Sequence, residues 1–236
     1  MKIVKESWSA HVLTLFPEMF PGPLGLSIIG KALRKKIWSL KLINLRNYSN
    51  NGPKDVDDAP YGGGSGMLIK SDVVHNAIKD TTKNLNSFSL VYLSPRGKKL
   101  NQKKVKELST KKNLVLLCGK YEGIDQRVID TWKMEEISIG DYILSGGEIA
   151  AMSLVDSCVR LLPNVLGSSD SLKCESFENN LLEYPQYTKP REWLGKKVPE
   201  VLLSGNHKKI KEWKKKESIK LTKIKRPDLL KKVVKK

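Results

Sequence analysis

Acid–base chemistry in this chain of 236 residues falls to carboxylates and arginines. The three histidines, His11, His75 and His207, lie far from any nucleophile-like context, so no Ser-His-Asp arrangement suggests itself. The candidates are Glu122, Asp125, Asp141, Glu148, Asp156 and Glu175, with Arg127 and Arg160 as cations. A carboxylate can take a proton, and a guanidinium can hold negative charge as it develops. Each of them can equally serve as a salt bridge, a cap or a surface charge.

Three loops are rich in glycine and small polar residues: Ser94-Pro-Arg-Gly97, Gly119-Lys-Tyr-Glu-Gly123 and Ser138-Ile-Gly-Asp-Tyr-Ile-Leu-Ser-Gly-Gly147. Each alone could be an ordinary strand-to-helix turn. Glycines let backbone N–H and C=O groups approach a ligand with no Cβ in the way, so three such loops together could wall a small-molecule pocket. A fourth cluster, Asp57-Asp-Ala-Pro-Tyr-Gly-Gly-Gly-Ser-Gly66-Met67, is too long for a tight turn. It has neither the G-x-G-x-x-G register of a dinucleotide site nor a Lys-Ser or Lys-Thr after Gly66, which disfavours NAD and ATP. It reads either as a mobile loop that grips substrate or as a surface excursion.

Loops of this kind need a scaffold that points them the same way. His11–Phe16, Leu40–Leu45, Ser89–Leu93 and Asn113–Cys118 read as strands, each short and rich in Val, Ile, Leu or Phe. Helix-length stretches lie at Gly25–Lys36, Ser71–Asn84 and Asn101–Thr110. Strands alternating with helices predict an α/β fold with a mostly parallel sheet covered by helices on both faces. In such sheets ligands bind at the carboxyl ends of the strands, where all three glycine loops fall. The longest apolar stretch, Gly147–Leu162, has apolar residues around most of its circumference and predicts a buried helix carrying Asp156 and Arg160 four residues apart. Pro163-Asn-Val-Leu-Gly167 ends it, and the polar Ser168–Ser171 stretch predicts a flexible linker. Further on, Asn206 is placed to cap a helix carrying Ile210 and Trp213, and Pro227 to open another.

Composition narrows the partner. The formal charge is +18, from 43 Lys+Arg against 25 Asp+Glu, and residues 189–236 alone hold 18 of the basic residues and five of the acidic ones. A basic surface concentrated in one part of a chain fits a phosphate backbone, whose neutralisation releases condensed counterions. A solvated helix face or a Lys-rich proteome is the plainer explanation. Hydrophobic residues at 39% suffice for a core, and the length suits one large domain or a domain with a small appendage. Cys118, Cys158 and Cys174 show neither zinc spacing nor a disulfide framework and suit a reducing, cytoplasmic location. No apolar run approaches the roughly 18–20 residues of a membrane span, and the first residues lack a signal-peptide stretch.

Six motifs follow in order: Leu15-Phe-Pro-Glu-Met-Phe20, Asp57-Asp-x-Pro-Tyr-Gly-Gly-Gly-x-Gly-Met67, Tyr92-Leu-Ser-Pro-x-Gly97, Cys118-Gly-x-Tyr-Glu-Gly-Ile-Asp-x-Arg-Val128, Ser138-Ile-Gly-Asp-Tyr-x-Leu-Ser-Gly-Gly-Glu148 and Val201-Leu-Leu-Ser-Gly-Asn-His207. From about residue 9 to Leu230 the chain closely resembles the bacterial tRNA (guanine-N1)-methyltransferases, the TrmD family. The resemblance implies a SPOUT-class domain tied in a trefoil knot over 1–166, a linker over 167–180 and a basic helical tRNA-binding domain over 181–236. It also implies a homodimer with active sites between subunits. The implied reaction moves the methyl group of S-adenosylmethionine to N1 of the guanosine at tRNA position 37 when another guanosine precedes it. It depends on magnesium and maintains the reading frame. Alternatives are a SPOUT methyltransferase with another RNA target, or a non-catalytic RNA-binding relative.

By the same resemblance, the cofactor pocket comprises Tyr92, Leu93, Ser94 and Pro95; Gly119, Tyr121, Glu122 and Gly123; and Ser138, Ile139, Gly140, Tyr142, Ile143, Leu144, Gly146 and Gly147. Arg160 matches the family's catalytic arginine. The general base departs from pattern, with Glu175-Ser176-Phe177 where the family is best known for Asp-Ser-Phe, so the role passes to Glu175, with Asp170 as a second candidate. Ser65 stands where proline is common. Gly66 is expected at the substrate, and Lys208, Lys209, Lys211, Lys214 and Arg226 at tRNA phosphates.

Overall fold

In a computed structural model, which describes residues 7–167 and 175–231, the chain divides into two compact units, 1–167 and 168–236. The first runs β1 (Trp8–Thr14), α1 (Ser27–Arg34), β2 (Trp38–Asn44), β3 (Asp57–Asp58), β4 (Leu68–Ile69), α2 (Ser71–Thr82), β5 (Ser89–Lys99), α3 (Gln102–Ser109), β6 (Asn113–Cys118), α4 (Gln126–Trp132), β7 (Glu135–Ser138) and α5 (Glu148–Val159). Five strands make one parallel sheet in the order β2-β1-β6-β5-β7. The α/β expectation therefore holds. β7 and α4 escape the sequence pattern, because Glu135-Glu-Ile-Ser138 is a short, charged edge strand and α4 buries only Val128 and Ile129.

Every residue of β1 and β6 is buried, as expected of strands covered on both faces. Their side chains alternate between two cores. Trp8, Ala10, Val12, Leu114, Leu116 and Cys118 join Ile29 of α1, Val105 and Leu108 of α3, and Leu154 and Val155 of α5. Leu13, Val115 and Leu117 join Val73, Val74, Ala77 and Ile78 of α2 and Val128 and Ile129 of α4. Helices α1, α3 and α5 thus cover one face and α2 and α4 the other.

The helix expected over Gly147–Leu162 spans Glu148–Val159, and Arg160 is its half-buried C-cap residue. It is not buried all round in the single chain: Ile149, Ser153 and Asp156 form an exposed stripe. Glu148 opens the helix and is 2% exposed. The Thr14 hydroxyl at the end of β1 donates to its Oε1 at 2.7 Å, and the helix's own N-terminal N–H groups favour a negative charge there. That contact fixes the start of α5 against the carboxyl end of the sheet.

The second unit contains a hairpin, β8 (Glu192–Trp193) and β9 (Lys196–Lys197), followed by α6 (Glu200–Leu203), α7 (His207–Lys225) and α8 (Pro227–Lys231). Asn206 caps α7, its Oδ1 accepting from Lys209 N–H at 3.1 Å, and Pro227 is the first residue of α8, both as expected. Residues 175–180, expected within a linker, are hydrogen-bonded into this unit: Phe177 N–H donates to Leu181 C=O at 2.7 Å and Glu183 N–H to Ser176 Oγ at 3.0 Å. Asp170 lies outside the described residues.

Candidate active site

The three glycine loops leave the carboxyl ends of β5, β6 and β7, which are neighbours in the sheet. Each loop is set by a local irregularity. Along β5 the pairing slips: Leu93 and Lys98 both sit opposite Ile137, so Ser94–Gly97 is looped out of the ladder. The strand expected to end at Leu93 resumes as far as Lys99. Arg96 N–H donates to Ser94 Oγ at 3.2 Å inside the bulge. After β6 the chain turns through Tyr121, at φ +56°, with Gly123 N–H on Lys120 C=O at 2.9 Å. After β7, Ser138 Oγ donates to Gly140 C=O at 2.9 Å and accepts from Gly140 N–H at 3.2 Å.

The second and third loops are stitched directly to each other, with Gly147 N–H donating to Gly119 C=O at 2.8 Å. A Cβ on Gly147 would stand 2.8 Å from Cys118 Cα and 2.9 Å from Gly119 N, which only glycine avoids. The fourth glycine cluster docks on the second loop. Glu122 N–H donates to Met67 C=O at 3.0 Å, and Ile69 N–H to Gly123 C=O at 3.0 Å. Gly66, at φ +95°, lies against the Glu122 side chain, where a Cβ would come within 2.5 Å of its Cγ.

All sixteen residues expected around a cofactor line one cavity of about 510 Å³. Leu68, Arg96, Lys120, Ile124, Gln126, Ile137, Ser145 and Ala150 complete its wall and were not among the residues expected at the cofactor, although Arg96, Lys120 and Ser145 lie within the three loops. Arg96 and Lys120 occupy variable positions inside the motifs, and the others lie on or next to the strands and loops that frame the cavity. Tyr92 is 5% exposed, and burial pushes its phenol above its ordinary pKa, so it stays a neutral group against the second loop. Arg96 is tied at the rim to Gln126 Oε1 at 3.1 Å and Glu136 Oε2 at 3.2 Å. Lys120 holds its ammonium 5.0 Å from the Phe16 ring centroid.

Other carboxylate candidates have structural employment. Asp125 caps α4 through Arg127 N–H at 2.9 Å and is doubly bonded by the Arg127 guanidinium, which holds its carboxyl below the usual range. Asp141 pairs with Lys99. Glu148 is fixed to Thr14. Glu122 is the carboxylate of that group that lines the cavity. Arg160, half-buried, follows α5 in the first unit, and Glu175, also half-buried, belongs to the second. Among the described residues, no group of three or more His, Cys, Asp or Glu side chains is arranged to hold a metal ion.

In the second unit, Lys208, Lys209 and Lys211 are exposed on the first turns of α7. Lys214 is half-buried, its ammonium 4.6 Å from the Tyr184 ring centroid, and Tyr187 packs on Trp213 at 6.3 Å. Arg226 is paired with Asp228 at 2.7 Å.

A looped, glycine-lined cavity at the carboxyl ends of a parallel sheet defines an α/β protein built to take a cofactor-sized molecule against its backbone. The sequence profile of the tRNA (Guanine-1)-methyltransferase TrmD family matches residues 9–232. Relatives named tRNA (guanine-N(1)-)-methyltransferase include those of Pelagibacter ubique, 53% identical over 94% of this chain and 96% of that protein, and Rhodospirillum rubrum, 54% identical over 94% and 92%. The one from Ehrlichia canis is 52% identical over 94% of both. The chain belongs to the TrmD family of tRNA methyltransferases. Among its described residues no helix is long and apolar enough to cross a membrane.

Gly147 has φ −77°, which alanine accepts, so Gly147→Ala tests the close contact alone. Overpacking of this kind costs about 1–3 kcal/mol. We expect S-adenosylmethionine, the donor the family implies, to bind about tenfold or more weakly by calorimetry, while Gly167→Ala, with nothing within 4 Å, binds as wild type. Equal affinity in both variants would mean that the crossing does not shape the cavity.

Proposed function

We propose that this tRNA methyltransferase moves the methyl group of S-adenosylmethionine to N1 of guanosine 37 in tRNAs with guanosine at position 36, and so maintains the reading frame. The observation that carries this reading is the convergence of three glycine loops and Glu122 on one cavity, with Gly66 of the fourth loop packed on Glu122. A cavity of about 510 Å³ with backbone-lined walls suits a nucleoside-sized donor. Its loops would read the adenine edge through N–H and C=O groups, and Glu122 would face the charged part of the donor. The bound donor supplies an already activated methyl group.

What remains for the chain is to handle a proton and a charge. Guanine N1 is protonated at neutral pH and has no free in-plane lone pair, so a carboxylate must take the proton as the methyl arrives. Glu175 has that role; it offers the basicity of an aspartate with one more methylene of reach. Arg160 stabilises the charge developing on O6. The target base leaves the anticodon-loop stack while Lys208, Lys209, Lys211 and Lys214 hold the phosphates. The chain acts as a knotted, cytoplasmic homodimer whose active sites lie between subunits, and its reaction requires magnesium. Among the described residues no group of three or more His, Cys, Asp or Glu side chains is arranged to hold that ion.

The reading is tested by methyl transfer from labelled S-adenosylmethionine to two tRNA transcripts differing only in guanosine or adenosine at position 37. Label is expected in the guanosine transcript alone; donor binding with transfer to neither would point to another RNA substrate. Glu175→Gln should lower turnover by a factor on the order of 10²–10⁴ while leaving donor affinity largely intact. Retention of more than about a tenth of wild-type turnover would move the base elsewhere. Reversing charge at Lys208 and Lys211 should weaken tRNA binding and reduce the salt slope by about one per lost contact. An unchanged affinity and slope would remove the tRNA grip from the start of α7.

A further inference from the structure

We propose that Arg226 is a positioning residue for the general base, holding the Glu175-Ser176-Phe177 turn in place through the Phe177 ring. The inference rests on the reading of Glu175 as the base. It gives Arg226 a different task from the phosphate contact expected from its charge.

The turn is held in an unfavourable backbone conformation. Phe177 has φ +76°, and Asn179 and Asn180 follow at +49° and +57°. Asparagine tolerates this left-handed region, but a bulky aromatic residue rarely adopts it, so surrounding contacts must over-determine the conformation. Backbone bonds supply part of the hold. Phe177 N–H donates to Leu181 C=O at 2.7 Å, and Glu183 N–H to Ser176 Oγ at 3.0 Å. Leu182 N–H then donates to Thr222 Oγ1 at 2.9 Å, and Thr222 is wholly buried on α7.

Arg226 supplies the side-chain part. It caps α7, and its guanidinium carbon lies 5.9 Å from the Phe177 ring centroid. Asp228 fixes that guanidinium with two parallel bonds, Nε to Oδ1 at 2.8 Å and Nη2 to Oδ2 at 2.7 Å. Held this way, the guanidinium sits over the aromatic ring within cation–π distance. A phosphate could not take the Nε–Nη2 edge without displacing Asp228. The residue two positions after Glu175 is therefore clamped between the end of α7 and its own turn, and Glu175 is carried on the same unit as the basic helix.

Lysine separates the two roles of Arg226, since it keeps the charge but loses the fork and the flat face. Single-turnover methyl transfer to the guanosine-37 transcript, with full-length enzyme and donor in excess, is measured beside tRNA affinity. Arg226→Lys and Arg226→Gln are both expected to slow the step about ten- to a hundredfold, as small misplacements of a reacting group do. Their tRNA affinity should stay within about twofold of wild type, since no phosphate contact is removed. Phe177→Leu should slow the step similarly and Phe177→Trp largely restore it, which tests the clamp from its other side if the Arg226 variants fold poorly.

In a Glu175→Gln background, Arg226→Lys should add less than about a twofold effect, because residues acting as a unit are not additive. A normal rate for Arg226→Lys with weakened tRNA binding by Arg226→Gln would restore the phosphate contact and overturn the proposal. So would a wild-type rate in Phe177→Leu, or an equal loss from Arg226→Lys in both backgrounds. Failure of the base reading shows separately, as a near wild-type rate in Glu175→Gln alone.

Discussion

The cavity depends on a place where backbone meets backbone. Gly147, at the end of the third loop, passes so close to Cys118 and Gly119 at the end of β6 that no side chain fits between them, and its N–H bonds to Gly119 C=O. The crossing brings a loop from the sheet edge at β7 over the interior strand β6, and α5 begins at once behind it. Without that approach the two loops would be separate turns, each on its own strand. With it they form one wall, and the bulge in β5 supplies the wall beside it. Glycine here does steric work: its backbone angles are ordinary, and only the missing Cβ matters.

Charge is distributed around this crossing so that little of it is free inside. Glu148 is buried directly behind the third loop, but its carboxylate is met by Thr14 and by the N-terminus of α5. Asp125, Arg127 and Asp141 are paired outside the reacting centre. The cavity wall carries Glu122 as its one carboxylate beside backbone amides, the buried Tyr92 phenol and the cations Arg96 and Lys120, of which Arg96 is tied to Glu136, and such a wall suits recognition of a nucleoside by its edges and a cation by one carboxylate. The proton-handling groups proposed here, Arg160 and Glu175, belong to different units of the chain. The proposed chemistry therefore needs both units, and the basic helix and the base share one of them.

That sharing was invisible in the sequence. Ser168–Ser171 read as a polar, flexible stretch and the resemblance implied a linker over 167–180; within its described part Phe177 N–H bonds Leu181 C=O and Ser176 Oγ accepts from Glu183 N–H, and Leu182 N–H bonds the Thr222 hydroxyl across 40 positions. Arg226 was expected at a phosphate because charge density is readable from composition, whereas its pairing with Asp228 is not. Asp228 stands only two residues away, but nothing in the spacing said that the two would lock or that Phe177 would lie beneath them.

Sequence by itself determined what depends on local pattern: the strands of the parallel sheet except β7, the helices except α4 and α6, the Asn206 cap and the Pro227 helix start; the sixteen loop residues that line one cavity came from the family resemblance. It also determined the family, because six motifs in fixed order leave few alternatives. Tertiary structure alone decided the strand order β2-β1-β6-β5-β7, which makes neighbours of the three loop-bearing strands, and the bulge that throws Ser94–Gly97 out of the ladder. It decided, too, which of the other carboxylates are taken up by structural partners. The division has a physical basis. Periodicity, caps and turn residues act over a few positions along the chain, whereas the approach of Gly147 to Cys118 or of Gly66 to Glu122 is set by packing between segments that have no local preference for each other.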